Sequence, residues 1–161
     1  MLLSGKMTTQ VIGIISDTHG LLRDEAKAEL AGVDKIILAG DIGKPEVIEE
    51  LRKIAPLIVI RGNVDRGQWA QDLPDREAVE IEGHGIYVIH NIAELDIEPE
   101  GNFSVVVSGH SHIPKCETKG NVIYFNPGSA GPRRFRLPVS MGRLRINKNG
   151  IEGELINLIG S

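Results

Sequence analysis

Short and almost entirely apolar runs recur through the first 63 residues of the chain. Three of them are rich in β-branched residues, and they span residues 10–16, 35–41 and 56–63. Runs of this length and composition are typical of strands that are buried on both faces. Leu22, Ala26 and Leu30 show a helical spacing after the first run, and Pro45 fits the first turn of a second helix. The order strand, helix, strand, helix, strand predicts a parallel sheet.

The pattern changes in the second half of the chain. Residues 103–110, FSVVVSGH, form one more apolar run. Glycine-containing turns divide three other segments into paired strands, and these segments span residues 76–90, 115–128 and 142–158. His84 falls in the first of these turns, where we expect it to be exposed. We therefore predict a mixed α/β sandwich whose second sheet is largely antiparallel.

Potential metal ligands stand at the ends of the predicted strands. They are Asp17, His19, Asp41, Asn63, His90, His110 and His112. Gly40, Gly62 and Gly109 each precede one of them, where the chain must turn sharply and a ligand must approach the backbone. Because the carboxyl ends of parallel strands meet at one edge of a sheet, these side chains are expected to converge there. Nitrogen and oxygen donors of this kind suit Mn²⁺, Zn²⁺, Fe or Ni²⁺ better than a metal that prefers thiolates.

The motifs SDTHG, AGD, RGNVD and SGHSH, with His90 between the last two, resemble the five ordered motifs of the calcineurin-like metallophosphoesterase superfamily. The short chain, the absence of a histidine after GN, and the segment FNPGSAGPRR are similar to its small, YfcE-like phosphodiesterase branch. The resemblance covers residues 11 to 131. It implies a four-layer α/β/β/α sandwich of two mixed sheets with a two-metal site at one edge.

The resemblance also implies how the ligands divide between two divalent ions. One ion would be held by Asp17, His19, Asp41 and His112. The other would be held by Asp41, Asn63, His90 and His110, with Asp41 bridging. Mn²⁺ is expected first, and Ni²⁺, Zn²⁺, Fe and Mg²⁺ are the alternatives. Two such ions can clamp a phosphodiester and lower the pKa of bound water, so the implied nucleophile is a metal-bridging hydroxide.

The chain departs from the family pattern at two positions. Val64 follows GN, where many members carry a histidine that can protonate the leaving alkoxide. Loss of a general acid costs about 10²–10⁴-fold when the leaving group is basic. We therefore predict a preference for aryl or otherwise activated phosphodiesters, unless Asp65 or a metal-bound water supplies the proton. Asn91 replaces the usual glycine after His90, which leaves open the geometry of that loop and of the substrate pocket beside it.

Four arginines are candidate phosphate contacts, namely Arg61, Arg66, Arg133 and Arg134. The guanidinium group suits this role because its planar fork pairs with two phosphate oxygens at once. The alternative for each of them is a solvated surface residue. The segment FNPGSAG, residues 125–131, resembles the family's closing loop and is expected near the metals.

Composition limits the classes of protein that remain. The 161 residues carry a net charge of −4, which argues against a general nucleic-acid binder. Cys116 is the one cysteine, so no internal disulfide can form and we expect a cytoplasmic protein. No run of 18 apolar residues suggests a membrane span. We expect a flexible tail at residues 1–8 and a single domain over residues 9–161, whose final hairpin leaves a homo-oligomer open beside ordinary core packing.

Together these features favour an enzyme, a metal-dependent phosphodiesterase acting on a small phosphate ester. Two alternatives remain open: a metal-binding scaffold of the same fold with little or no catalysis, and a phosphomonoesterase. A structural zinc site is a poor match because such sites are closed by four cysteine or histidine ligands. The lysine-bearing glycine loop of nucleotide-binding P-loop proteins does not occur in the sequence.

Overall fold

The computed structural model of the chain describes residues 8–159. The expected tail at residues 1–8 therefore lies outside the described residues apart from Thr8, and the domain boundary at residue 9 stays a prediction. No helix within residues 8–159 is long and apolar enough to span a bilayer.

The first sheet contains the three apolar runs of the first half and the final hairpin. Its strands are β1 (Gln10–Ile15), β2 (Lys35–Ala39), β3 (Leu57–Ile60), β9 (Ser140–Asn147) and β10 (Gly150–Asn157), in the order β10-β9-β1-β2-β3. The pairs β1/β2 and β2/β3 are parallel, as predicted. The hairpin adds two antiparallel pairs at the β1 side of this sheet.

The second sheet is mixed. Its strands are β4 (Arg76–Ile81), β5 (His84–Ile89), β6 (Val105–Val107), β7 (Lys115–Lys119) and β8 (Val122–Asn126), in the order β4-β5-β6-β8-β7. The pairs β5/β6 and β6/β8 are parallel, whereas β4/β5 and β7/β8 are antiparallel. The prediction that this sheet is largely antiparallel is wrong, because β7 takes the edge position and β8 then returns beside β6 in the same direction.

Helices α1 (Asp24–Leu30) and α2 (Pro45–Arg52) pack on the outer face of the first sheet and bury Ala26, Leu30 and Leu51. Ile12, Ile37, Ile86 and Phe125 belong to the core between the two sheets. Each fully buried aliphatic side chain contributes about 1.5–3 kcal/mol relative to an exposed one. The layers of helices, sheet and sheet are therefore joined by two apolar cores.

The fourth layer is thin. The outer face of the second sheet carries Tyr87 and Val106, which pack against Leu95 and Phe103. The segment between β5 and β6 contains only a 3₁₀ turn, Ile92–Glu94, and a second such turn, Gln68–Ala70, precedes β4. Pro99 and Gly101, which has a positive φ, interrupt the segment between β5 and β6 that covers this face, so no α-helix forms there.

His84 is not the exposed turn residue that the sequence predicted. It begins β5 and is half-buried, and the turn itself is made by Glu82 and Gly83, both with positive φ. Its Nδ1 lies 3.1 Å from the Ser104 hydroxyl and its Nε2 lies 2.9 Å from the Asn147 carbonyl oxygen. Because Asn147 ends β9, His84 ties the two sheets together at the edge opposite the predicted ligands.

Candidate metal centre

The first group of ligands combines residues from both sheets. Asp17 and His19 follow β1, and His112 follows β6. Their donor atoms lie within 4.8 Å of one another. Asp17 and His112 are almost completely buried, and His112 Nε2 is 3.5 Å from Asp17 Oδ1. The carboxyl ends of two strands, β1 and β6, therefore form this potential metal site.

The second group lies beside the first. Asp41 follows β2, His90 follows β5 and His110 follows β6, and their donor atoms also lie within 4.8 Å of one another. Asn63 joins them, because its Oδ1 is 3.3 Å from His110 Nδ1. Asp41 faces both groups, since its Oδ2 is 3.2 Å from His90 Nε2 and 3.7 Å from His19 Nε2. The structure thus brings all seven predicted ligands together, with Asp41 in the position expected of a bridge.

The backbone of this edge is unusual. Among residues 8–159, eight residues other than glycine have positive φ. Five of them are potential ligands: Asp17, His19, Asp41, His110 and His112. The left-handed region is unfavourable for residues with a Cβ, and such strain concentrates at functional sites. Hydrogen bonds between the loops hold this conformation, including Asp17 N to Gly40 O and His19 N to Asp41 O, both 3.0 Å.

The predicted glycines allow the loops to approach one another. Gly40 has a φ of 92°, which fits the sharp turn expected there. A Cβ on Gly62 would overlap the backbone nitrogen and the carboxylate of Asp41, and one on Gly109 would overlap the Ser16 hydroxyl. Close backbone approach, more than turn geometry, is the reason for glycine at these last two positions.

Within residues 8–159, four buried nitrogen and oxygen atoms of the cluster have no hydrogen-bond partner: Asp17 Oδ1, His19 Nε2, His90 Nε2 and His112 Nδ1. Leaving such atoms unpaired is costly, and bound cations would satisfy them. His90 Nδ1 lies 2.7 Å from the Ala39 carbonyl oxygen, so this nitrogen donates and Nε2 presents its lone pair to the cluster. The residues present therefore fit divalent metal ions.

In the cluster, the interaction between His90 and Asp41 shifts the pKa of each residue in the direction opposite to the shift that burial causes. Burial alone lowers the pKa of His90, but the nearby carboxylate of Asp41 and the hydrogen bond to the Ala39 carbonyl raise it overall. Burial raises the pKa of Asp41, but the nearby imidazole of His90 and the hydrogen bond from the backbone N–H of Val64 lower it overall. The pair thus favours an ionised carboxylate beside an imidazole that accepts a proton readily.

Asp65 does not supply the missing general acid. Its carboxylate is buried and accepts hydrogen bonds of 2.8–3.1 Å from the backbone N–H groups of Ile42, Gly43 and Gly62. These bonds connect the loop after β2 to the loop after β3. Asp65 therefore positions the loops that carry Asp41 and the neighbouring ligands, while the exposed side chain next to it is that of Val64.

A cleft of about 330 Å³ opens beside the second ligand group. Of the predicted site residues, it is lined by Arg61, Asn63, His90 and His110. It is also lined by Asn91, whose loop the sequence analysis placed beside a substrate pocket, and by Arg76, which the sequence did not assign to one. Arg76 begins β4, and the bond from Arg61 N to Pro74 O brings that strand beside the loop after β3. This long-range contact leaves no local pattern in the sequence.

The other predicted arginines lie outside this cleft. Arg66 is exposed, and its Nε donates to the Asn63 carbonyl oxygen at 3.3 Å. Arg133 and Arg134 are exposed in the loop before β9. We call the edge of the sandwich that carries the seven potential ligands the metal edge. The segment 125–131 does lie against it, since Ser129 Oγ donates to the Asp17 carbonyl oxygen at 3.0 Å.

Two stacked mixed sheets with clustered carboxylates and imidazoles at one edge are the architecture of a metallophosphoesterase. Residues 11–149 match the calcineurin-like phosphoesterase superfamily domain, and the chain belongs to that family. The fold, the site and the family model together identify the protein as an enzyme of the phosphoester hydrolase class.

Individual relatives agree with this assignment. The chain is 34% identical to the probable metallophosphoesterase MJ0623 of Methanocaldococcus jannaschii, over 92% of this chain and 81% of the relative. It is 28% identical to phosphodiesterase YfcE of Escherichia coli K12, over 80% of this chain and 84% of the relative. The solved structure of vacuolar protein sorting 29 from Cryptosporidium parvum matches with a TM-score of 0.76 at 17% identity, over 92% of this chain and 98% of the other. This last likeness concerns the fold alone.

Proposed function

We propose that the chain is a phosphodiesterase whose active site is a dinuclear metal centre. The observation that carries the proposal is the pair of ligand groups joined by Asp41, built on left-handed residues and containing unpaired buried donor atoms. Backbone strain and unpaired buried polar atoms of this kind are concentrated at functional sites. The relatives named as phosphodiesterases support the same reaction.

Each ion has its own set of ligands in this proposal. The first would be held by Asp17, His19, Asp41 and His112. The second would be held by Asp41, Asn63, His90 and His110. Mn²⁺ is our first choice for a set of carboxylate, amide and imidazole donors, ahead of Ni²⁺, Zn²⁺, Fe and Mg²⁺. When bound, the two ions would supply the bridging hydroxide nucleophile and the positive charge that a phosphodiester needs.

The chain's own residues would orient the ligands and the substrate. The Ala39 carbonyl fixes the tautomer of His90, and Asp65 holds two of the ligand loops together. Arg61 lines the cleft and would bind a phosphate oxygen there, while Arg66 and Arg133 would act further out. A volume of about 330 Å³ suits a small phosphate ester.

The setting of the reaction is also part of the proposal. We place it in the cytoplasm, because the single cysteine leaves no internal disulfide to form. A homo-oligomer is compatible with the exposed side chain of Leu155 on β10, although the neighbouring apolar residues of that hairpin pack in the core.

The test is hydrolysis of bis-p-nitrophenyl phosphate by metal-stripped protein, titrated with Mn²⁺, Ni²⁺, Zn²⁺ and Mg²⁺. We expect activity to return with metal, most strongly with Mn²⁺, and to be lost in Asp41→Asn and His110→Ala. Asp72→Asn and His84→Gln are the matched controls, because they change the same residue types away from the cluster. We expect both controls to retain activity.

Two results would contradict the proposal. Metal binding without turnover of diesters would indicate a scaffold of the same fold. Faster turnover of p-nitrophenyl phosphate than of the diester would indicate a phosphomonoesterase.

A further inference from the structure

A short basic loop before β9 carries a conspicuously exposed aromatic residue. Residues 132–137, PRRFRL, are here called the basic loop. Phe135 is 88% exposed, whereas the next most exposed large apolar residue within residues 8–159 is Ile113 at 53%. A phenylalanine this exposed contributes almost nothing to the core, and its whole ring is accessible to a ligand.

The backbone of Phe135 is strained as well. It has a φ of 55°, in the left-handed region that bulky residues avoid. Among the described residues, the other left-handed positions with side chains are the five potential ligands and two hairpin-turn residues, Glu82 and Asn121. The turn closed by Leu137 N and the Arg134 carbonyl oxygen, 3.1 Å apart, holds Phe135 in this conformation. The turn therefore holds the backbone of Phe135 in the left-handed region while its ring is exposed to solvent.

Three arginines surround this ring in the sequence: Arg133, Arg134 and Arg136. All three are exposed, and none is within ion-pair distance of a carboxylate in the part of the chain that the structure describes. Elsewhere, Arg143 and Arg145 are paired with glutamates. On a chain with a net charge of −4, the basic loop is thus a local cluster of positive charge.

The loop is anchored to the metal edge. β9 runs antiparallel to β1, so the residues before β9 lie at the end of β1 that leads into Asp17. Ala130 N donates to the Ser16 carbonyl oxygen at 3.1 Å, and a Cβ on Gly131 would overlap the Thr18 carbonyl oxygen. Phe135 follows Gly131 by four residues, so at most about 14 Å of chain separates them.

The basic loop and the cleft flank the metal centre on opposite sides. Within the first sheet the order β9-β1-β2-β3 places the basic loop beside β1 and the cleft, with Arg61, beside β3. A phosphodiester has two ester arms. A diester held between the ligand groups could therefore extend one arm into the cleft and the other toward the basic loop.

We propose that the basic loop binds a single-stranded nucleotide chain, with a base stacked on Phe135 and neighbouring phosphates paired with Arg133, Arg134 and Arg136. An aromatic face among arginines is the combination by which proteins hold unpaired nucleotides without reading their sequence. As a statement about substrate, the proposal rests on the phosphodiesterase function of the adjacent centre. The binding site itself requires no turnover.

The alternative occupants fit the loop less well. A symmetric contact with a second copy of the chain would bring like-charged arginines together. A membrane surface would be engaged through a single apolar side chain, without the amphipathic helix that such binding uses. Both alternatives are outcomes of the experiment below.

The experiment measures fluorescence anisotropy of a short fluorescein-labelled oligothymidylate with the full chain, stripped of metal so that nothing is hydrolysed. We expect Phe135→Ala to weaken binding by about 5- to 150-fold, the effect of losing one stacked base. We expect Phe135→Trp to retain binding and its added fluorescence to be quenched by the oligonucleotide. Replacing the three arginines by glutamine should lower the slope of log K against log salt by about 2.

Controls separate the loop from general effects. Leu155→Ala removes another exposed apolar side chain, and Arg52, Lys53 and Lys148 changed together to glutamine remove the same charge elsewhere. Both controls should bind as the wild type does. An abasic strand of the same length should bind more weakly and be indifferent to Phe135→Ala.

Several results would overturn the proposal. They are no binding by the wild type, equal binding of the abasic strand, or equal binding by Phe135→Ala. Loss of self-association or of binding to anionic vesicles in Phe135→Ala, with oligonucleotide binding unchanged, would assign the loop to one of the other occupants. Binding is measured without metal, so its outcome does not depend on whether the phosphodiesterase assay succeeds or fails.

Discussion

The two edges of the sandwich hold histidines in opposite conditions. At the metal edge, Nε2 of His19 and of His90 is buried and has no hydrogen-bond partner among the residues that the structure describes. At the opposite edge, both ring nitrogens of His84 are paired, with Ser104 and with Asn147. An unpaired ring nitrogen, more than the presence of a histidine in a loop, thus distinguishes the candidate metal site from the opposite edge.

The backbone differs between the same two edges. Glu82 and Asn121, at the opposite edge, are left-handed beside glycines in the hairpin turns β4/β5 and β7/β8, where such conformations are ordinary. The left-handed aspartates and histidines of the metal edge belong to longer loops that no hairpin explains. The comparison teaches that strain without a turn to account for it points to function.

Removing one histidine from each edge gives the largest expected contrast. We expect His90→Ala to reduce diesterase activity at saturating Mn²⁺ by more than about 100-fold, beyond the 10–100-fold typical of losing a supporting partner of a ligand. His84→Ala should leave activity within a small factor and lower stability instead. Steady-state hydrolysis of bis-p-nitrophenyl phosphate and urea unfolding measure the two effects. Comparable activities in the two variants would remove the distinction between the edges.

Substitutions of residue 64 test whether the site lacks a general acid for the leaving group. Wild type should hydrolyse aryl diesters about 10²-fold or more faster than alkyl diesters, because Val64 cannot protonate a basic leaving group. Val64→His should narrow this ratio mainly through the alkyl esters, and Val64→Ala serves as the control. Similar rates for both ester classes in the wild type would show that another group already donates the proton.

Asp65 tests whether the loops need a common anchor. We expect Asp65→Asn to weaken metal binding by about 10–100-fold, because its amide cannot accept from all the backbone N–H groups that converge there. Asp72→Asn, on the surface, should have no effect. Calorimetric titration with Mn²⁺ gives both affinities. Unchanged affinity in Asp65→Asn would assign the residue a role in stability only.

The smallest expected effect is the weakening of metal binding at acid pH. The raised pKa of His90 means that it keeps a proton to higher pH than an ordinary histidine, and a metal must displace that proton. The lowered pKa of Asp41 keeps its carboxylate ionised and adds no change in this range. Affinity should therefore fall by up to about tenfold per pH unit as pH decreases through the pKa of His90. A pH-independent affinity would contradict this competition.

The convergence of the potential ligands could be predicted from the sequence because they follow recognisable strands. Asp17, Asp41 and Asn63 end apolar runs that alternate with helices, and such runs order themselves in a parallel sheet. The pairing of the second sheet was harder to predict. Val105–Val107 is buried on both faces, and its pattern fits parallel and antiparallel neighbours equally.

Long-range contacts account for the rest of the site. Arg76 reaches the cleft because β4 returns beside the loop after β3, and His84 is paired because β9 ends beside β5. Phe135 illustrates a third limit, since its exposure and its φ are visible only in the structure. Its neighbouring arginines, by contrast, were evident from the sequence.

The most direct measurement of the central claim is anomalous X-ray diffraction from crystals of the protein grown with Mn²⁺. The account predicts two strong anomalous peaks, one within reach of Asp17, His19 and His112 and the other within reach of Asn63, His90 and His110, with Asp41 between them. A single peak, or peaks away from this edge, would contradict the dinuclear centre.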